Sequence, residues 1–385
     1  MRNRADRLES TGGPPAGDLS RLSRTVDAIE RGAVPCTLGD PPEVPNRFSI
    51  AFSRVREAFA VAVNPRLYIL LVVYSALGAG IYGIRTYGIL GCQASGYNPD
   101  TYLGYCGATS YGDYDHGAMW FGLEPAASAA ATNARVLFIG NSRTQFAFSS
   151  DATFEWFSSL SQSYFLLGFS HFENYTFEEP LLSKLRPKAK VYVINIDSFF
   201  ERSQTGPAKA VMQDESARSQ YEGKRKWQDV HKAICTSVRA VCGNDIAIFR
   251  SRSTGAWLVT GSGFKAAPVS YDDDIDQNEL ASYTALGKDF LRNLPVGREC
   301  TILTIVPTVG TSIGTAKAVA TALGFDLVSP RLPGLITFDH YHLNRQSAQR
   351  WSAAFLEEAG PKIRNCLSEK PELHLAMSDA RFANH

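Results

Sequence analysis

The chain reads as an α/β protein: a parallel sheet with helices on both faces, preceded by one transmembrane helix. Three observations lead there. Val136–Ile139 is a continuous apolar run ended by Gly140, the mark of a strand buried on both faces. Further short apolar runs alternate with helical patterns after it, as in doubly covered parallel sheets. Upstream, Leu67–Ile84 is eighteen residues without a charge, long enough to cross a bilayer.

Residues 1–66 are rich in Gly, Pro, Ser and Arg and are expected to be cytoplasmic and largely disordered, with one short helix around Leu19–Glu30. Phe48–Val63 is amphipathic and suits a membrane surface. Residues 67–84 form the expected transmembrane helix, bracketed by Arg66 and Arg85, with Tyr68, Tyr74 and Tyr82 along it. The rival reading is a buried core helix, but no adjacent element could cover such a segment. It begins too far from the amino terminus for an ordinary cleaved signal peptide.

Residues 1–66 carry ten Arg and no Lys, whereas no Lys or Arg lies between Arg85 and Arg135. The positive-inside rule therefore keeps the amino terminus in the cytoplasm and sends the rest out, periplasmic or extracellular, from a single-pass inner-membrane anchor. Of seven cysteines, Cys36 stays inside and six lie on the oxidising side. Spacing favours Cys92–Cys106 and Cys235–Cys242 as local loops, with Cys300 and Cys366 tying the domain's end. Six cysteines permit fifteen pairings, so this is a preference.

Residues 85–133 form a Tyr/Gly-rich connector. Its tyrosines at 97, 102, 105, 111 and 114 serve either a sugar-facing surface or, the plainer reading, a disulfide-tied loop packed on the domain. The domain at 134–366 begins with strand Val136–Ile139. Helix Asp151–Ser161, strand Ser163–Leu167, helix Glu178–Leu185 and strand Val191–Ile196 follow. Residues 201–275 break the rhythm and read as an insertion over the active site. Asp272–Asp274 with Asp276 lack the Gly and Glu of a calcium loop and read as an acidic turn capping a helix at 277–294. Strand Thr301–Val306, a helix near Gly314–Leu323, strand Phe325–Val328 and a final helix Arg345–Glu358 complete the pattern. Residues 367–385 are a polar tail.

Two polar stretches carry the chemistry. Gly140-Asn141-Ser142-Arg143-Thr144 ends the first strand, where open α/β sheets place their ligands. Phe338-Asp339-His340-Tyr341-His342-Leu343-Asn344 lies near the other end. A serine hydroxyl needs a general base within hydrogen-bond reach, and the base needs a group to orient it.

Together these stretches resemble the SGNH (GDSL-like) hydrolase superfamily. Gly140-Asn141-Ser142 stands for its Gly-Asp-Ser block, with Asn for Asp, and Asp339-x-x-His342-Leu343-Asn344 for its last block. The resemblance covers roughly residues 134–365 and implies a flavodoxin-like three-layer sandwich. It implies Ser142 as nucleophile, His342 as base and Asp339 as orienting carboxylate; the Asp-x-x-His register favours His342 over the rival His340, which lines the pocket or points away. For the oxyanion hole it implies the Ser142 backbone N–H and Gly168. The family's Gly-x-Asn-Asp block is missing: register puts Asp197 in place of its Asn, with Asn195 two residues earlier. An ionised Asp197 would repel an oxyanion, so it is expected either to be protonated or, the favoured reading, to turn away and cap the next segment. Asn141, Arg143, His171 and His340 are candidate substrate contacts. Arg143 holds a substrate anion or forms a salt bridge within the fold.

The implied activity is ester hydrolysis or O-acyl transfer through an acyl-serine, on acylated envelope glycan, without metal or cofactor and alongside envelope polysaccharide machinery. The alternative is a non-catalytic glycan-binding or assembly protein that keeps the fold. With 39 basic and 38 acidic residues and no basic, aromatic-interleaved patch, nothing points to nucleic acid. A reporter fused after His385 is expected to act outside the cytoplasm; activity confined to the cytoplasm would overturn the orientation.

Overall fold

The computed structural model describes residues 65–86, 90–107, 111–261 and 265–368. The expected helices at Leu19–Glu30 and Phe48–Val63 lie outside them, as does the tail beyond Ser368. Helix α1 (Pro65–Thr86) contains a 19-residue stretch, Pro65–Gly83, of mean hydropathy 1.4 and no buried share. It is long and apolar enough to span a membrane.

The chain then runs β1 (Thr101–Cys106), β2 (Gly112–Asp113), α2 (Asp115–Trp120), α3 (Pro125–Asn133), β3 (Val136–Asn141), α4 (Ser142–Phe148), α5 (Asp151–Ser159), β4 (Tyr164–Phe169), α6 (Tyr175–Leu185) and β5 (Val191–Asn195). Next come α7 (Gly206–Gln213), α8 (Ala217–Ser237), β6 (Ala247–Ser251), β7 (Trp257–Thr260), β8 (Ala267–Pro268), β9 (Tyr271–Asp272) and α9 (Gln277–Arg292). Last are β10 (Thr301–Thr304), β11 (Thr311–Ser312), α10 (Ile313–Leu323), β12 (Ile336–Thr337) and α11 (Arg345–Ser368).

The main sheet is parallel, in the order β10-β5-β3-β4. Leu327 adds a parallel bridge to Leu303 beyond β10, all that forms of the strand expected at Phe325–Val328. Alternate residues of each strand face opposite cores. Leu137, Ile139, Leu167 and Ile194 pack with α3, α6, α9 and α10, whereas Val136, Phe138, Leu166 and Val193 pack with α4, α5 and α11. Burial on both faces is why the strands read as unbroken apolar runs. Helix starts follow local chemistry: Ser150, Asn174 and Asp276 each accept backbone N–H groups at the N-caps of α5, α6 and α9. The Asp276 cap is the role expected of the acidic turn. Helix α11 outruns its expected end at Glu358 by ten residues, because Ile363 and Cys366 continue its buried stripe past Pro361.

The connector and the insertion differ from expectation. They build one antiparallel sheet, β2-β1-β6-β7, with β1 of the connector paired to β6 of the insertion. The insertion runs along the outer edge of β4, where Leu166 N donates to Thr254 O at 2.8 Å. Tyr102, Tyr111 and Tyr114 are buried there, which removes most of the supposed sugar-facing surface. Three disulfides, Cys92–Cys106, Cys235–Cys242 and Cys300–Cys366, match the preferred pairing.

A buried ionic network joins the two sheets. Arg250 pairs with Asp115 at 2.6 Å and donates to Leu166 O of β4. His116 sits between Asp113 at 3.0 Å and Glu173 at 2.9 Å. Burial alone would push the His116 imidazolium down, but the two carboxylates outweigh it and hold its pKa up to about 10. The stabilisation from this raised group is full below the ordinary histidine value and is lost as pH rises through about 10. His116→Ala leaves two buried carboxylates unpaired and is expected to cost about 3–5 kcal/mol in chemical denaturation at neutral pH. It is also expected to remove the part of the stability decline between pH 7 and 10 that His116 supplies; an unchanged pH profile would contradict this account.

Candidate active site

The site grows out of the way β3 ends. Gly140 has φ +141°, where a side chain is strained, and an added Cβ would lie 2.5 Å from Thr144 Oγ1 and 3.1 Å from Asn195 Cβ. The chain therefore turns straight from the strand into α4, with Ser142 as its first residue. Gly168, paired across from Gly140 in β4, is needed for a similar reason. A Cβ there would meet Asn141 O at 2.7 Å. Neighbouring β4 and β5 lie on opposite sides of β3, so Ser142 stands at the point where strand order reverses.

Two asparagines lock this turn. Asn141 Oδ1 accepts from Arg143 N at 3.0 Å, capping α4, and Asn141 Nδ2 donates to Asp197 O at 3.0 Å. Asn195 Nδ2 donates to Asn141 Oδ1 at 3.4 Å, while Val306 N donates to Asn195 Oδ1 at 3.2 Å. The ends of β3, β5 and β10 are thus tied through side-chain amides. Behind them Glu178 is fully buried. Burial, then the Glu173 charge, push its carboxyl well above the ordinary range, against a hydrogen bond from the Gly140 backbone.

Ser142 Oγ lies 2.8 Å from His342 Nε2, and His342 Nδ1 lies 2.7 Å from Asp339 Oδ2. Asp339 Oδ1 also accepts from the backbone N–H of His342 at 2.8 Å and of Tyr341 at 3.0 Å. Partial burial raises the Asp339 pKa, but the His342 hydrogen bond and charge, with these N–H groups, win and hold it below its usual value. The three implied catalytic residues are therefore assembled across two hundred positions of chain. His340 is exposed with φ +74°, and its carbonyl accepts from Val309 N. His171, φ +61°, is exposed and meets Tyr105 ring to ring at 6.3 Å rather than the serine.

The expected oxyanion residues divide. Gly168 is in place beside the turn, and its carbonyl accepts from Gln145 Nε2 at 2.8 Å. Asn195 is wholly buried, and its amide is committed to Asn141 and Val306 rather than to the site. Asp197 caps no helix. Residues 197–200 form a turn, and its carboxylate pairs with Arg143. That pair supplies a third answer to the repulsion problem: a fixed cation neutralises the carboxylate.

Sequence reasoning missed the aromatic frame. The Phe146 ring lies 4.4 Å from that of His342, with Phe338 and Trp257 against it. Its spacing of four from Ser142 on one helix was the available signal. Phe172 and Tyr341, both largely exposed, meet edge to face at 5.9 Å over the Arg143 guanidinium. Beside the Arg143–Asp197 pair lies a cavity of about 200 Å³ whose walls include Ser198, Glu279, Tyr283, Thr308 and Thr311.

Among the described residues, His231, Cys235 and Cys242 cluster as metal ligands would. The two cysteines are bonded to each other, and the His231 nitrogens meet Tyr97 Oη and Cys92 O, so the group is closed to an ion. Comparison with protein-family models, curated proteins and solved structures returns no match.

Asp197→Asn breaks a largely buried ion pair and is expected to cost about 1–3 kcal/mol, between the exposed and fully buried cases. Turnover is expected to change less than about tenfold, since the carboxylate faces Arg143 and not the reacting oxygen. A larger gain in turnover would put Asp197 in the oxyanion hole.

Proposed function

We propose that the chain is a membrane-anchored serine ester hydrolase or O-acyltransferase of SGNH type, working on acylated envelope glycan. The observation that carries this is the unbroken relay Ser142–His342–Asp339 at the carboxyl end of a central parallel strand. The strand order and the helices packed on each face support the three-layer reading of the fold.

In this reading the Ser142 oxygen attacks the ester carbonyl as its proton passes to His342 Nε2. The Asp339 carboxylate, held ionised, steadies the imidazolium through Nδ1. The carbonyl π electrons move to oxygen, and the Ser142 backbone N–H at the start of α4 faces the developing charge. Collapse expels the alcohol, which takes the proton from His342, and leaves an acyl-serine. Water or a sugar hydroxyl then attacks that ester by the same steps in reverse, releasing acid or the new ester. The same residues serve both outcomes.

The arginine asymmetry about α1 and the three disulfides beyond it support an inner-membrane anchor with the domain outside the cytoplasm. The hydroxyl-lined cavity and the exposed rings of Phe172 and Tyr341 suit a sugar better than a long acyl chain, and so fit a place beside envelope polysaccharide machinery. One observation favours the other reading, a glycan-binding or assembly protein: Asn195 and Asp197 are both engaged within the fold, which leaves the oxyanion to backbone donors.

A serine-reactive fluorophosphonate separates the two. Labelling of Ser142 is expected in the parent and lost in Ser142→Ala and His342→Ala, whereas His340→Ala retains most of it. Asp339→Asn is expected to slow labelling by about 10²–10⁴. A parent chain that takes no label would favour the binding protein, and a dead His340→Ala beside a live His342→Ala would overturn the base assignment.

A further inference from the structure

The insertion carries a surface feature that the proposed reaction leaves unused. On α8, Lys226, Val230 and Ile234 follow one another at four-residue spacing, and Val238, the C-cap, continues the series. Side chains so spaced form one ridge along a helix. Val230, Ile234 and Val238 are 54%, 38% and 52% exposed, while Tyr221, Gln228, His231 and Cys235 bury the opposite face. Single exposed aliphatics are ordinary, but three in register form a stripe. Lys226 opens the ridge and Arg239 follows it, both exposed. Basic residues beside an apolar stripe are the pattern of a helix lying in a bilayer interface.

Chain connectivity identifies the occupant. Just beyond the ridge, Gly243 N donates to Leu90 O at 2.7 Å and Asp245 N to Gly91 O at 3.0 Å. The Cys235–Cys242 disulfide holds that loop to α8, and Cys92–Cys106 holds the Leu90 segment to β1. Leu90 comes four residues after Thr86, the last residue of α1. Four residues reach at most about 14 Å. A leash that short raises the local concentration of any surface it presents, so a weakly attractive patch suffices.

We propose that the ridge Val230–Ile234–Val238 rests in the headgroup layer of the bilayer that α1 crosses, with Lys226 and Arg239 against anionic lipid. The domain then presents one fixed face to the membrane. This inference rests on the membrane reading of α1.

The test uses the full chain in vesicles of equimolar phosphatidylcholine and phosphatidylglycerol, with and without bromine on the phosphatidylcholine chains. Ile234→Trp and Val238→Trp, each read as the increment over the parent, are expected to be quenched at least about twofold more than Lys288→Trp, an exposed site on α9. Equal quenching at all three sites in protein that resists carbonate extraction overturns the ridge and leaves the anchor standing. Release by carbonate overturns both. A blue-shifted emission from Ile234→Trp without bromolipid quenching overturns the proposal in favour of a protein partner, a second copy of the chain included.

Discussion

The architecture depends on the absence of a side chain at Gly140. With φ at +141° and Thr144 and Asn195 within reach of any Cβ, only glycine lets β3 pass into α4 without a connecting loop. That abrupt passage leaves Ser142 facing out of the sheet between the ends of β4 and β5. It also brings Asn141 to Asn195 and Asp197, so the same turn that sets Ser142 at the strand's end ties down its neighbours. His342 and Asp339 then need only one short turn of their own, which the Asp339 carboxylate folds by taking two backbone N–H groups.

The electrostatics of the two sides contrast. At the open side, Asp339 is paired with His342 and Asp197 with Arg143. Below it, Asp115 and Arg250 form one buried pair, and buried His116 and Glu173 form a second group with the half-buried Asp113. Such groups are costly to bury and strongly destabilising to break, so the join between the antiparallel sheet and β4 tolerates the loss of neither partner. Burial and the Glu173 charge beside it push the Glu178 carboxyl well above the ordinary range, which favours its neutral form among these charges.

Much of this was legible in the residues. Unbroken apolar runs located all four main strands, because burial on both faces leaves no room for polar alternation. The hydrogen-bonded series Ser142–His342–Asp339 was legible for a different reason: a serine paired with a base and an orienting carboxylate calls for particular side chains, and Asp339 and His342 stand close enough in sequence to share a turn. Cysteine spacing carried two of the pairings, and the place of Cys300 and Cys366 at the domain's end favoured the third. The antiparallel sheet was hidden, since β1 and β6 are separated by well over a hundred positions and their pairing is decided by partners neither segment encodes alone. A salt bridge for Arg143 was one of the two readings its position offered, but its partner Asp197 was hidden, as was the Asn141–Asn195 link, because each joins separate strand ends. Helix α11 runs long because its buried stripe continues through Ile363 and Cys366, with Pro361 tolerated within the helix.

The pairing of β1 with β6 moves the boundary of the folding unit. A fragment cut to begin near residue 134, where the parallel sheet starts, would lose β1 and β2 of the other sheet, along with Asp115, the counter-ion of Arg250, and both carbonyls that hold the loop after α8. It would strip β6 on one side and leave a buried guanidinium without its carboxylate. The stretch that looks like a tether is therefore structural, and the shortest self-sufficient piece of the domain after α1 has to include Leu90.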